Sequence, residues 1–279
     1  MNLYTIDTGL FKLDGGAMFG VVPKTIWNKT NPADDKNLCT WAMRCLLIED
    51  GNRLILVDTG IGNKQDEKFY SHYYLHGDDT LDKSLAAKGF HRDDITDVFL
   101  THLHFDHVGG AVERVNGDLL PAFKNATYWS NEQHWDWAVN PNDREKASFL
   151  KENILPLQES GQLKFIPAQD GVQFSEGFNI RFAYGHTDAM MLPLLDYKGR
   201  KVLYMADMLP SVGHLPMAYV MAYDMFPLKT LTEKKAILTE ALDNNYILYF
   251  EHDAINECCT LQLTEKGIRA GDIFKINEL

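Results

Sequence analysis

Four residues able to bind a metal ion fall within six positions in His102-Leu103-His104-Phe105-Asp106-His107. Neutral imidazole and carboxylate are the ligands that zinc and other borderline-soft divalent ions take, and a two-metal site needs about six or seven of them in one pocket. In an extended segment residues i and i+2 point the same way, so His102 and His104 can share one ion. The turn that follows re-aims Asp106 and His107 toward a second ion, and Gly109-Gly110 lets the backbone turn tightly behind them.

The elements that must position these residues are apolar runs rich in Val, Ile, Leu, Phe and Tyr, which read as strands: Trp41–Ile48, Arg53–Val57, Asp97–Leu100, Ala126–Trp129, Asn179–Tyr184, Lys201–Met205 and Tyr246–Phe250. Five of them run into a His or an Asp at their carboxyl ends. These are Asp58-Thr59-Gly60, the segment from His102 to His107, Gly185-His186-Thr187, Ala206-Asp207 and Glu251-His252-Asp253. In layered α/β proteins that edge is where loops converge and sites are built, which predicts one cluster. Helices are expected between the strands: one from Asp79 to Gly89, one from Asn131 to about Leu150, and one over Glu233–Leu242 opened by the capping box Thr230-x-x-Glu233. Alternation of strands and helices predicts sheets covered by helices.

Composition limits the partners. The charge balance is 27 − 39 = −12, with no basic patch, so nucleic acid and anionic lipid are poor partners. The opening MNLYTIDTGLFKLDGG lacks a basic segment followed by an apolar run, and no stretch reaches the ~18 apolar residues of a membrane span. A soluble, cytoplasmic chain is expected. Cys39, Cys45, Cys258 and Cys259 form no CxxC pair and read as buried, reduced thiols. No linker or repeat divides the chain, and ligands running from His102 to His252 predict one domain over residues 1–279.

THLHFDHVGG, with LVDTG before it and GHT, AD and EHD after it in that order, resembles the metallo-β-lactamase superfamily from about Tyr4 to the terminus. The resemblance implies an α/β fold, a four-layer αββα sandwich with a two-metal site on its edge. It implies that His102, His104 and His186 hold the first metal, that Asp106, His107 and His252 hold the second, and that Asp207 bridges both. Asp58 then matches an aspartate that orients ligands without being one. The implied cofactors are two divalent ions, zinc first, with iron, manganese or cobalt as alternatives. His104 stands where flavodiiron members carry glutamate, and Asp207 where true β-lactamases usually carry cysteine. Asp207 follows His186 by 21 residues and His252 follows Asp207 by 45, a spacing similar to that of acyl-homoserine lactone lactonases and related organophosphate hydrolases. Those lactonases commonly place a tyrosine three residues after the bridging aspartate; here that position is Pro210. His214 or Tyr223 is the expected substitute.

The expected chemistry is hydrolysis. Two cations a few Å apart lower the pKa of a bridging water from 15.7 to about 7, which supplies hydroxide to an ester or lactone carbonyl, with Asp106 or Asp207 handling the proton. A small-molecule lactone, N-acyl-homoserine lactone in quorum quenching among them, is the first substrate class. A phosphotriester or a glyoxalase-II-like thioester is the alternative, and from another class a mononuclear iron sulfur dioxygenase. Apolar stretches at Ala17–Pro23 and Met217–Phe226 predict a pocket wall of Phe19, Val22, Trp27, Met221, Met225 and Phe226, or equally core and a homodimer interface. His72, His76, His91 and His134 read as surface or packing residues.

Overall fold

Each apolar run read as a strand is one. The computed structural model describes residues 1–279. Two units are distinguished: Met1–Gly9 with Met43–Gln169, and Leu10–Ala42 with Asp170–Leu279.

In chain order the strands begin with β1 (Asn2–Asp14), β2 (Leu38–Asp50), β3 (Arg53–Val57) and β4 (Asp97–Phe99). The short hairpin of β5 (Val112–Val115) and β6 (Asp118–Pro121) follows, then β7 (Thr127–Ser130) and β8 (Leu163–Phe165). The first unit is built on a six-stranded sheet in the order β1-β2-β3-β4-β7-β8. The ends of β1 and β2 beyond Gly9 and before Met43 belong to the second unit. β3, β4, β7 and β8 are mutually parallel. Parallel strands covered on both faces read as unbroken apolar runs, and β4 is buried at every residue. Leu47, Leu56, Val98 and Tyr128 are fully enclosed there.

The second unit holds β9 (Gln173–Ser175), β10 (Phe178–Ala183), β11 (Met190–Tyr197), β12 (Arg200–Tyr204), β13 (Ile247–Tyr249), β14 (Cys258–Thr264) and β15 (Gly267–Phe274). Its seven-stranded sheet runs β15-β14-β13-β12-β11-β10-β9, antiparallel except for the β12–β13 pair. Each sheet therefore contains adjacent parallel strands, β3–β4 in one and β12–β13 in the other, whose carboxyl ends emerge side by side.

Two helices differ from expectation. The segment after Asn131 forms a helix only over Glu132–Val139, capped by the Asn131 side chain on the His134 amide, and a second helix spans Lys151–Glu159. Asn140 precedes Pro141, and a residue before proline is pushed out of the helical region. The helix assigned to a Thr230–Glu233 capping box starts earlier, at Pro227, and runs to Asp243. Proline is pre-set for the first helical turn and needs no amide there. Glu233 is thereby released from capping, and its carboxylate accepts the Tyr184 and Gly185 amides. All four cysteines are free and buried. No helix is long and apolar enough to cross a membrane.

Gly109 and Gly110 hold the first unit's loops in contact. A β-carbon on Gly110 would lie 2.2 Å from the Thr59 carbonyl oxygen, and one on Gly109 2.1 Å from that of Ile61. Gly110→Ala is expected to destabilise the protein by about 1–3 kcal/mol, the usual cost of overpacking, seen as a lowered Tm. An unchanged Tm would contradict this close approach.

Candidate functional site

In the first unit β4 ends at Phe99 and the chain passes through Thr101 and His102 to a single helical turn, Phe105–Val108. The predicted pair is formed: His102 Nε2 lies 3.1 Å from His104 Nδ1. Asp106 and His107, re-aimed by the helical turn, approach to 3.8 Å. His102 and His107 are fully buried, and His104 and Asp106 nearly so.

Asp58 fixes this segment from the end of β3. Its carboxylate accepts the Thr101 amide at 2.8 Å and the Thr101 hydroxyl at 2.7 Å, and its Oδ2 is 3.1 Å from His107 Nδ1. Asp58 itself is held at φ 58°, a conformation costly for a residue with a side chain and characteristic of functional sites. His104 Nε2 is held 2.9 Å from Glu145 Oε1, while Glu145 Oε2 takes the Trp137 indole at 2.6 Å. His134 is a packing residue as expected: it is buried, and its Nε2 accepts the Leu103 amide.

In the second unit β10 delivers His186, β12 delivers Asp207 and the neighbouring parallel β13 delivers His252. Asp207 lies between the two imidazoles, with Oδ2 3.2 Å from His186 Nε2 and Oδ1 2.8 Å from His252 Nε2. Ala206, just before it, is forced to φ 40°. His186 Nδ1 meets Asp224 Oδ1 at 2.9 Å, and His252 Nδ1 donates to the Ala42 carbonyl at 2.7 Å. The Met225 amide bonds the His186 carbonyl, and the Phe226 amide that of Gly185, which places Asp224 against the ring.

These groups are of the kind that holds metal ions. Their chemistry fits: each unit gathers imidazole nitrogens that face a second imidazole or a carboxylate in buried surroundings. His104, His107, His186 and His252 each have the remaining ring nitrogen on a carboxylate or carbonyl. His102 has its Nδ1 3.0 Å from the Thr101 hydroxyl. Such partners fix the tautomer and orientation of metal-binding histidines.

His214 is placed differently from the other histidines. Its ring is buried, stacked 4.4 Å from Phe19 at 5°, with Nδ1 accepting from Ser211 Oγ and Nε2 donating to the Met18 carbonyl. Burial pushes its pKa down to about 3, so the ring is neutral with both nitrogens spent. Phe19 is sandwiched between His214 and Trp27, and Phe19, Val22, Trp27 and Met221 are all interior. These four build the core of the second unit, because the Ala222 amide ties the late segment to the Ala17 carbonyl. Met225 is half-buried, whereas Tyr223 and Phe226 reach solvent.

Sequence reasoning missed Glu145, Asp224 and Tyr73. Tyr73 packs its ring 4.6 Å from that of Phe105. Burial, and then the charge of Asp106, push its pKa up to about 12. An acid inside the apolar run Met221–Phe226 was a legible signal for Asp224; Glu145, in a polar stretch, gave none.

The chain belongs to the metallo-β-lactamase superfamily, whose sequence pattern matches residues 44–252. The fold is that family's fold, in agreement with the sequence reading, and the family is one of metal-dependent hydrolases. Among its relatives, N-acyl homoserine lactonase AiiA of Bacillus thuringiensis subsp. kurstaki is 25% identical over 196 residues, covering 67% of this chain and 66% of the lactonase. The match thus spans just under two thirds of that relative's length. A probable metal-dependent hydrolase from Staphylococcus aureus superposes with a TM-score of 0.89 at 26% identity, over 100% of this chain and 98% of the other. AidC, a dizinc quorum-quenching lactonase, shares the fold with a TM-score of 0.79 at 22% identity, over 98% and 93% of the two chains.

Proposed function

We propose that the chain is a single catalytic domain, a dinuclear metal-dependent hydrolase of lactones, with N-acyl-homoserine lactones as the first substrate class. His102, His104 and His186 would hold one ion, Asp106, His107 and His252 the other, and Asp207 both, with zinc the first metal. The observation that carries this reading is the consistent anchoring of the histidines' remaining ring nitrogens on Thr101, Glu145, Asp58, Asp224 and the Ala42 carbonyl. Isolated core histidines have no need of such uniform support. The lactonase relatives support the substrate class.

When bound, the metal pair supplies Lewis acidity and a nucleophilic water at neutral pH. The protein's own groups do the rest. Asp106 or Asp207 accepts the proton of the attacking water and returns it to the leaving oxygen, so no Ser or Cys nucleophile is needed. The lactonase tyrosine is replaced by Pro210, and Tyr73 takes its place as donor to the substrate carbonyl: its hydroxyl makes no hydrogen bond within the protein and stays protonated at working pH.

Initial rates on lactone, phosphotriester, thioester and β-lactam substrates, with metal content measured on the same samples, test the proposal. Highest kcat/KM on lactones with two metal equivalents is expected. A single iron with oxygen consumption would overturn it in favour of a dioxygenase.

A further inference from the structure

We infer that the second unit carries a separate binding site for amphipathic monocarboxylates: an anionic head, an amide and an alkyl chain. The site is a cavity of about 720 Å³ between the 212–216 turn and the 253–256 loop, within the ~300–1,000 Å³ usual for small-molecule sites. Leu10, Val212, Leu215, Ile255 and Ala270 give it an apolar wall. None of the His or Asp residues assigned to metal lines it, so the inference does not depend on the hydrolase reading.

Two polar groups on this wall are not used up by the protein. Arg269 forms no ion pair, and its one hydrogen bond runs from Nη1 to the neighbouring Ile268 carbonyl at 2.7 Å. The side-chain amide of Asn31 makes no hydrogen bond within the protein. Asp253, the acid on the same wall, is engaged by backbone amides. Its Oδ2 accepts the Val212 amide at 2.9 Å, and its Oδ1 accepts those of Ile255 at 2.9 Å and Asn256 at 2.7 Å. Lys234 is equally committed, donating to the Pro216 and Tyr219 carbonyls at 2.8 and 3.0 Å.

A guanidinium presented at an apolar wall is matched by a carboxylate, which it binds through two parallel hydrogen bonds. A single guanidinium balances one negative charge, the charge a carboxylate carries. The carboxamide of Asn31 offers both a donor and an acceptor, the complement of a ligand amide. The apolar wall takes the chain. An N-acyl amino acid carries all three features in sequence.

Titration of the protein with N-octanoylglycine by calorimetry, before and after metal removal with EDTA, tests the site. Saturable 1:1 binding is expected in both states. Arg269→Met should weaken it by about tenfold or more, as loss of a charge-assisted pair does, and Ala270→Phe, which places a ring on the cavity wall, should weaken it as well. Replacing the ligand carboxylate by a primary amide should weaken binding to the unaltered protein by a similar factor, a result independent of how the variants fold. Absence of binding, loss of binding with the metal, or equal affinity in folded Arg269→Met would each overturn the inference.

Discussion

Asp207→Ala is expected to reduce hydrolytic turnover by on the order of 10³-fold or more, because in the proposed centre the low pKa of the attacking water would depend on cations that this carboxylate would help to hold. Metal content should fall by at least one equivalent in the same sample. Asp207 directs one oxygen to His186 and the other to His252, at 3.2 and 2.8 Å. Asp207→Asn keeps the volume and removes the charge, and should lose metal nearly as well. The measurement is elemental analysis beside initial rates on a lactone. A variant that retains both its metal and its rate would remove Asp207 from the centre.

The candidate metal ligands were more legible than the residues that hold them in place. A strand-end His or Asp after an apolar run announces itself, because the run must be buried and the polar residue that ends it needs a partner. Asp58, His102, His186, Asp207 and His252 follow the ends of β3, β4, β10, β12 and β13, and His107 lies in the helical turn after His104. Glu145 and Asp224 reach their histidines from loops 41 and 38 residues away in sequence; the apolar run around Asp224 marks it as an acid in need of a partner, but no local pattern names which histidine either acid meets. Thr230-x-x-Glu233 misled for a related reason: the spacing satisfies a capping box, but Pro227 starts the helix earlier and Glu233 finds backbone amides in another loop. The aromatic residues were ambiguous by nature. Phe19 and Trp27 have the composition of a pocket wall and the composition of a core, and only the stack against His214 shows that they form a core.

Metal-free and metal-loaded protein are expected to respond to pH in opposite directions. In the metal-free chain burial disfavours a charge on His186, but Asp207 and Asp224 outweigh it and lift the pKa from 6.5 to about 10. A group whose pKa is higher in the folded than in the unfolded state contributes stability that is complete below the unfolded value and is lost as pH rises through the folded one. Stability from this triad is therefore full below about pH 6.5 and declines toward pH 10. A cation competes with that proton for His186 Nε2, so its apparent affinity should rise by up to about tenfold per pH unit for each proton displaced. Thermal unfolding from pH 6 to 10, with EDTA and with saturating zinc, should give a gap between the two curves that widens as pH rises. Asp224→Asn removes one of the carboxylates that keep His186 charged, and should flatten the metal-free curve. It should also loosen metal binding by roughly 10–100-fold, the usual cost of losing a ligand's supporting partner. Parallel curves in the unaltered protein would mean that His186 is neutral before metal arrives, and that Asp207 and Asp224 do not hold its proton.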